Sequence, residues 1–222
     1  MNPNKTALSA GILYLLLIPL GIFGILYVPE QIIVADDIDR TIANLLENEL
    51  LFRYSILSAF LVQLVNVMVV LLLYKLLKGL NKSAAVLMLV FFLVSVPIAF
   101  INEMNNLAVL YLVHENSPPA EWISFFLEMH RNGIVIAQIF WGLWLFPMGL
   151  LVYRLGPIPK VIGVLLMIAC MGYLFDSVFY LLSFNMRVEL SQFTFIGELA
   201  IITWLIVNGA GKKLDLKTLT AR

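Results

Sequence analysis

Residues 84–112 read AAVLMLVFFLVSVPIAFINEMNNLAVLYL. Before Glu103 the stretch carries no charge. A bilayer core of about 30 Å needs about 20 helical residues, so the stretch is long enough to cross one. Near its end Asn102, Glu103, Asn105 and Asn106 interrupt the apolar pattern, and LAVLYL resumes it. At about 100° per residue, Ser95, Ala99, Asn102 and Asn106 fall on one stripe, with Glu103 at its edge. Polar groups at membrane depth face protein or a wet cavity rather than lipid. The stretch therefore predicts a membrane helix with one face reserved for partners.

The rest of the chain agrees in composition. Hydrophobic residues make up 62% of the 222, charged residues 13%, and mean hydropathy is +0.97. A soluble domain of this size could not hide that much apolar surface. Formal net charge is zero and no basic strip is present, which argues against a nucleic-acid partner. Cys170 is the only cysteine, so an intramolecular disulfide and a cysteine metal framework are excluded. Lys5 followed by the run Ala7–Val28 has the look of a signal peptide. The run exceeds the usual length, however, and lacks a small-residue cleavage site, so it is read as a retained span.

Six segments reach or approach spanning length: 6–28, 50–74, 84–112, 133–153, 159–183 and 193–210. Turn residues separate them, among them Gly79 and Asn81, Pro118 and Pro119, and Gly156, Pro157 and Pro159. With the N-terminus inside, ten basic residues collect on that face: Lys5, Lys75, Lys78, Lys82, Arg154, Lys160, Lys212, Lys213, Lys217 and Arg222. Four fall on the other: Arg40, Arg53, Arg131 and Arg187. This bias follows the positive-inside rule and predicts both termini in the cytoplasm. Thirteen of the 14 acids, all but Asp215, then lie outside or in the outer membrane halves. The expected fold is one all-α domain over 1–222, an integral membrane bundle of six transmembrane helices. Segment 29–49 is its longest outer connector. Asp36 or Asp37 can cap a short helix there, with Ile38, Ile42, Leu45 and Leu46 on one side. Lid and packed connector are both open readings for it. Pro19 with Gly21 and Gly24, Pro97, and Pro147 with Gly149 mark expected kinks.

The polar groups inside these spans form the candidate site. Span three offers Asn102, Glu103 and Asn106. Span four opens with Glu128, His130, Arg131 and Asn132, with Gln138 two turns deeper. Span five carries Asp176 between Tyr173 and Tyr180, and span six carries Glu198. Together they predict an outer-half constellation of Glu103, His130, Arg131, Asp176 and Glu198, with Arg53 beside it. A charge at the bilayer centre costs about 2.5–3.5 kcal/mol on insertion scales. Arg53 and Arg131 could neutralise two acids, leaving the others hydrated, protonated or bound to a cation. Each group also has a plain alternative. Gln63 and Asn66 suit interhelical hydrogen bonding, and Arg53 suits snorkelling to headgroups. Glu128 with Arg131 suits an interfacial ion pair. Trp141 and Trp144 suit packing or an interfacial anchor.

The stretch Ile139–Ser177, with FWGLW-x-FP-x-G and Gly-Tyr-Leu-x-Asp-Ser, resembles a bacterial multi-pass membrane family catalogued as domain of unknown function 4386. The likeness extends over nearly the whole chain, with Pro159-Lys160 where many relatives carry Pro-Arg. It implies a six-helix protein of the bacterial cytoplasmic membrane and brings no activity, substrate or catalytic residue with it.

Three function classes follow from the residues. The first is binding or transport of a small cation or a polar or zwitterionic molecule through an outward-facing cavity. The second is a structural or sensory membrane subunit. The third is an intramembrane enzyme, in which Glu103, His130, Asp176 and Glu198 hold a divalent metal or act as acid and base. No cofactor is otherwise expected, and the bilayer is the expected surrounding.

Overall fold

The computed structural model describes residues 2–154, 158–184 and 189–211. Most of those residues are helical, and none of them lies in a strand. In chain order the helices are α1 (Pro3–Gly21), a π-helical turn (Ile22–Tyr27), α2 (Val28–Ile32), α3 (Ile38–Glu47), α4 (Glu49–Leu77) and α5 (Lys82–Leu112). They continue as α6 (Ala120–Leu143), α7 (Leu145–Arg154), α8 (Lys160–Leu181), α9 (Ser191–Thr194) and α10 (Ile196–Ala210). Six helical stretches are long and apolar enough to cross a membrane: Pro3–Ile32, Glu49–Leu77, Lys82–Leu112, Ala120–Arg154, Lys160–Leu181 and Ser191–Ala210. The all-α, six-span membrane class expected from the sequence is the one observed. Gly156, Pro157, Arg187, Asp215 and the basic residues Lys212, Lys213, Lys217 and Arg222 lie outside the described residues.

Two boundaries differ most from the sequence expectation, each for a local reason, while the interruption of span four expected near Pro147 is observed. Span one continues to Ile32 instead of ending at 28, and it passes through the π-helical turn. Pro19 lies in the turn before and has no N–H to give the helix ladder. The Leu20 carbonyl in that region accepts a hydrogen bond from Ser58 Oγ at 2.8 Å. Span four begins at Ala120, 13 residues before the expected 133. Charges at Glu121, Glu128 and Arg131 hide this helix from a hydropathy reading, yet Pro118–Pro119 mark its start well. Span four also breaks at Trp144, just ahead of Pro147, whose missing N–H leaves the Leu143 carbonyl without its partner. Pro97, in contrast, sits inside α5 without interrupting it. Asn81 caps α5, its Oδ1 accepting the Ala84 N–H at 3.0 Å.

The chain divides into two compact units. One holds the described residues of Met1–Leu15, Val65–Ser95 and Val135–Arg222. Its core includes Trp144, 2% exposed, with ring centroids 6.0 Å from Tyr14 and 5.7 Å from Phe92. Trp144 is thus a packing residue. In the same unit α7 and α8 meet backbone to backbone. A Cβ added at Gly163 would lie 2.6 Å from the Gly149 carbonyl oxygen, and one at Gly149 would lie 2.7 Å from the Gly163 oxygen. Small residues permit such close approach in membrane helices.

The second unit holds Leu16–Leu64 and Val96–Ile134. Its core joins Val28, Ile32, Ile42, Leu45, Phe52, Ile56, Val109, Leu110, Val113 and Ile123. The connector belongs to this core. Asp37 Oδ1 accepts the Arg40 N–H at 2.9 Å and caps α3. Asp36, the other candidate, precedes it with φ of 60°. Ile42 and Leu45 point into the core as expected, whereas Leu46 is 48% exposed. Position 46 falls about 100° beyond 45, off the buried face. Burial contributes about 1.5–3 kcal/mol for each such side chain, more than the roughly 1 kcal/mol of the cap, so packing rather than capping holds the connector down.

The Gly149–Gly163 approach gives a direct prediction. Gly163→Leu should lower the melting temperature in detergent and destabilise the chain by about 1–3 kcal/mol, as overpacking does. Gly79→Leu, where nothing lies within 4 Å of an added Cβ, should be near neutral. Equal melting of the two variants would contradict this packing.

Candidate functional site

The interruption in α5 is resolved by α6. Glu103 is buried, 7% exposed, and both of its oxygens are engaged. Oε1 lies 3.0 Å from Nε2 of His130, and Oε2 accepts from Asn106 Nδ2 at 2.9 Å. A carboxylate accepting from His130 requires hydrogen on Nε2. Asn102 donates through Nδ2 to the His130 backbone carbonyl at 2.9 Å, and Asn105 donates to Asn102 Oδ1 at 3.1 Å. Helical spacing explains the grouping. Glu103 and Asn106 are three apart and share a face, while Asn102 and Asn106 are four apart and both buried. Gly133 lets α6 come close here, because a Cβ at that position would collide with the Asn102 amide. The cluster belongs wholly to the second unit.

Of the two readings open for the arginines, the structure shows local ion pairs on their own helices. Arg131 is exposed and lies 4.0 Å from Glu128, three residues earlier on its own helix. Arg53 Nε donates to Glu49 Oε1 at 2.6 Å, four residues earlier. Local pairs of this kind need no long-range alignment and hold both long side chains near the surface. His114 is half exposed, and its Nε2 lies 3.0 Å from Glu49 Oε2.

The other two acids belong to the first unit. Glu198, 7% exposed, accepts from the Tyr14 hydroxyl at 2.5 Å through Oε2 and from the Tyr173 hydroxyl at 3.0 Å through Oε1. Sequence reading singled out Tyr173 and missed Tyr14. A signal was available: a buried phenol in an otherwise apolar span needs a partner for its hydroxyl. Asp176 takes the backbone N–H groups of Leu190 and Ser191, each at 2.7 Å, on its two oxygens. It therefore fastens the entry to α9. Ser177 Oγ donates to the Tyr173 carbonyl at 3.0 Å.

Within the second unit Glu103 and His130 are thus together, and within the first Glu198 and Asp176 each hold their own donors. Tyr180 and Gln138 are half-buried in the first unit. The amide oxygens of Gln63, in the second unit, and Asn66, in the first, are buried and accept no hydrogen bond among the described residues. The interhelical bonding expected of them is absent at those two atoms. A buried unsatisfied acceptor costs about 1–3 kcal/mol. Among the described residues no three His, Cys, Asp or Glu side chains converge as a metal site would require.

The phenol–carboxyl geometry predicts strong coupling. Tyr14→Phe should destabilise by about 1–3 kcal/mol, leaving Glu198 short of a donor. In a double-mutant cycle with Glu198→Leu the two effects should be non-additive. Additive losses in thermal melting would show that the hydroxyl acts independently of Glu198.

Comparison with known proteins gives a concordant family assignment. The family described as "Domain of unknown function (DUF4386)" matches residues 9–209. A protein of Archaeoglobus fulgidus described as "Uncharacterized protein" is 33% identical over 157 residues, covering 70% of this chain and 84% of that protein. That relative is archaeal, so the likeness is not confined to bacteria. No solved structure matches the chain. Spanning all six apolar helices and the polar clusters within them, the match makes the chain a member of the DUF4386 family.

Proposed function

We propose that the chain binds a small cation or polar solute within the membrane at the α5–α6 cluster of Glu103, Asn106 and His130. The observation that supports this reading is a carboxyl paired with an imidazole and an amide inside apolar, span-length helices. Carboxylate and imidazole both exchange protons and both accept cations. Ionisable groups inside membrane spans commonly line ion or solute pathways. Under this reading an incoming solute takes the place of the His130 or Asn106 bond on Glu103. The charge bias of the loops further supports a cytoplasmic-membrane location with both termini inside.

A second reading, a structural or sensory subunit, draws on a specific observation. Glu103, Asp176 and Glu198 each have both oxygens occupied by protein donors. In that case the clusters lock helix faces together and hold no solute.

Thermal melting separates the two. The purified chain is titrated with sodium, potassium, ammonium and glycine. Binding to the folded state contributes about 2.7 kcal/mol at 100 Kd. One of these probes should raise the melting temperature of the native chain but not of Glu103→Gln or His130→Ala. A shift surviving in both variants would overturn the site. Lower stability with no shift in any protein would favour the structural reading. A reporter fused after Arg222 should be active only on the cytoplasmic side, and activity outside would reverse the orientation.

A further inference from the structure

A cleft of about 470 Å3 in the second unit lies apart from the Glu103 cluster. Its lining includes Arg53, Leu107, Tyr111, His114, Glu115 and Asn116. These residues come from the first turns of α4, the last turns of α5 and the segment just after α5. The cleft therefore sits at the ends of two span-length helices, the level at which a lipid headgroup would be met. Tyr111, 72% exposed, is the residue type that prefers this level.

The charges in the cleft are of both signs. Glu49 holds Arg53 through Nε alone, leaving four of the five guanidinium N–H donors on the terminal nitrogens. The same carboxylate holds His114 beside it. Glu115 forms no ion pair among the described residues. A purely anionic ligand would meet Glu115, and a purely cationic one would meet Arg53. A molecule with a phosphate and an amine satisfies both.

An apolar track leads away from the cleft. Ile101, Met104, Leu107 and Tyr111 recur at helical spacing along one face of α5 and are 70%, 62%, 39% and 72% exposed. It is the face opposite Asn102, Glu103 and Asn106, which are buried. An acyl chain can lie along this track while its headgroup occupies the cleft.

We propose that this cleft is a specific site for a zwitterionic, amine-bearing phospholipid. The phosphate takes the terminal Arg53 N–H donors, and the ammonium takes Glu115. The acyl chain follows Leu107, Met104 and Ile101. The site is independent of Glu103 and His130.

Native mass spectrometry of the full chain, purified in mild detergent, tests this. Equimolar phosphatidylethanolamine, phosphatidylglycerol and phosphatidylcholine are offered together. The ethanolamine lipid should be retained preferentially. Arg53→Ala should weaken its retention by about tenfold, as loss of a charge-assisted phosphate contact predicts. Glu115→Gln should bring its retention down toward that of the choline lipid. Arg40→Ala, which removes an exposed arginine outside the cleft, should leave retention unchanged. Equal retention of all headgroups overturns the proposal, as does retention unaffected by both cleft variants. So does an equal loss in Arg40→Ala. Glycerophosphoethanolamine, the headgroup without acyl chains, should compete poorly. If it competes as well as the whole lipid, the ligand is a soluble zwitterion and the lipid assignment fails.

Discussion

An acid inside an apolar helix has no water to turn to, so its hydrogen-bond donors must come from neighbouring protein. That constraint organises this chain. Glu103 draws its donors from α5 and α6, Glu198 from α1 and α8, and Asp176 from the backbone entering α9. A hydrogen bond to a charged group contributes about 1.5–3 kcal/mol. Two of them match or exceed the roughly 2.5–3.5 kcal/mol insertion cost of a charge. Each acid thereby fixes which face a helix turns toward its partners. Apolar packing alone discriminates weakly between faces when lipid tails are as apolar as leucine.

The two units meet this constraint with different chemistry. One uses phenols, whose hydroxyls reach from rings that also fill the core, as Tyr14 does beside Trp144. The other uses amides and an imidazole on adjacent helices, with Gly133 making room for Asn102. The first arrangement joins segments that are distant in sequence, Tyr14 and Glu198 being 184 residues apart. The second joins residues 27 and 28 positions apart.

The spans were legible because a bilayer imposes a length and a composition on any helix that crosses it. Several of their breaks were legible from proline or glycine. The early start at Ala120 was not, because Glu121, Glu128 and Arg131 interrupt the apolar run and a helix with a charged face reads like a loop on hydropathy alone. At the candidate site the members were partly legible and their pairing was not. Glu103, His130 and Glu198 stood out as polar groups in apolar surroundings. Which donor reaches which acid depends on helix rotation and on separations that spacing within one helix does not encode. Arg131 and Arg53 satisfied nearer acids on their own helices, Glu128 and Glu49. Tyr14 was overlooked because a tyrosine in a span passes for an apolar residue until its hydroxyl is considered. The unmatched oxygens of Gln63 and Asn66 run against the simple rule that membrane amides serve as glue.

The widened turn at Ile22–Tyr27 has a consequence for how the first span stores its geometry. A π-turn accommodates about one residue more than an α-turn, so everything after it is rotated by about 100° relative to an uninterrupted helix. Val28 and Ile32 fill the core beside Phe52 and Ile56 from that shifted phase. Straightening the turn at unchanged length would swing both side chains off the core, whereas deleting one residue of the turn would let a regular helix carry them at the same phase. Register in this span is therefore held jointly by the width of the turn and its residue count, so that a change in one is neutral only when the other changes with it.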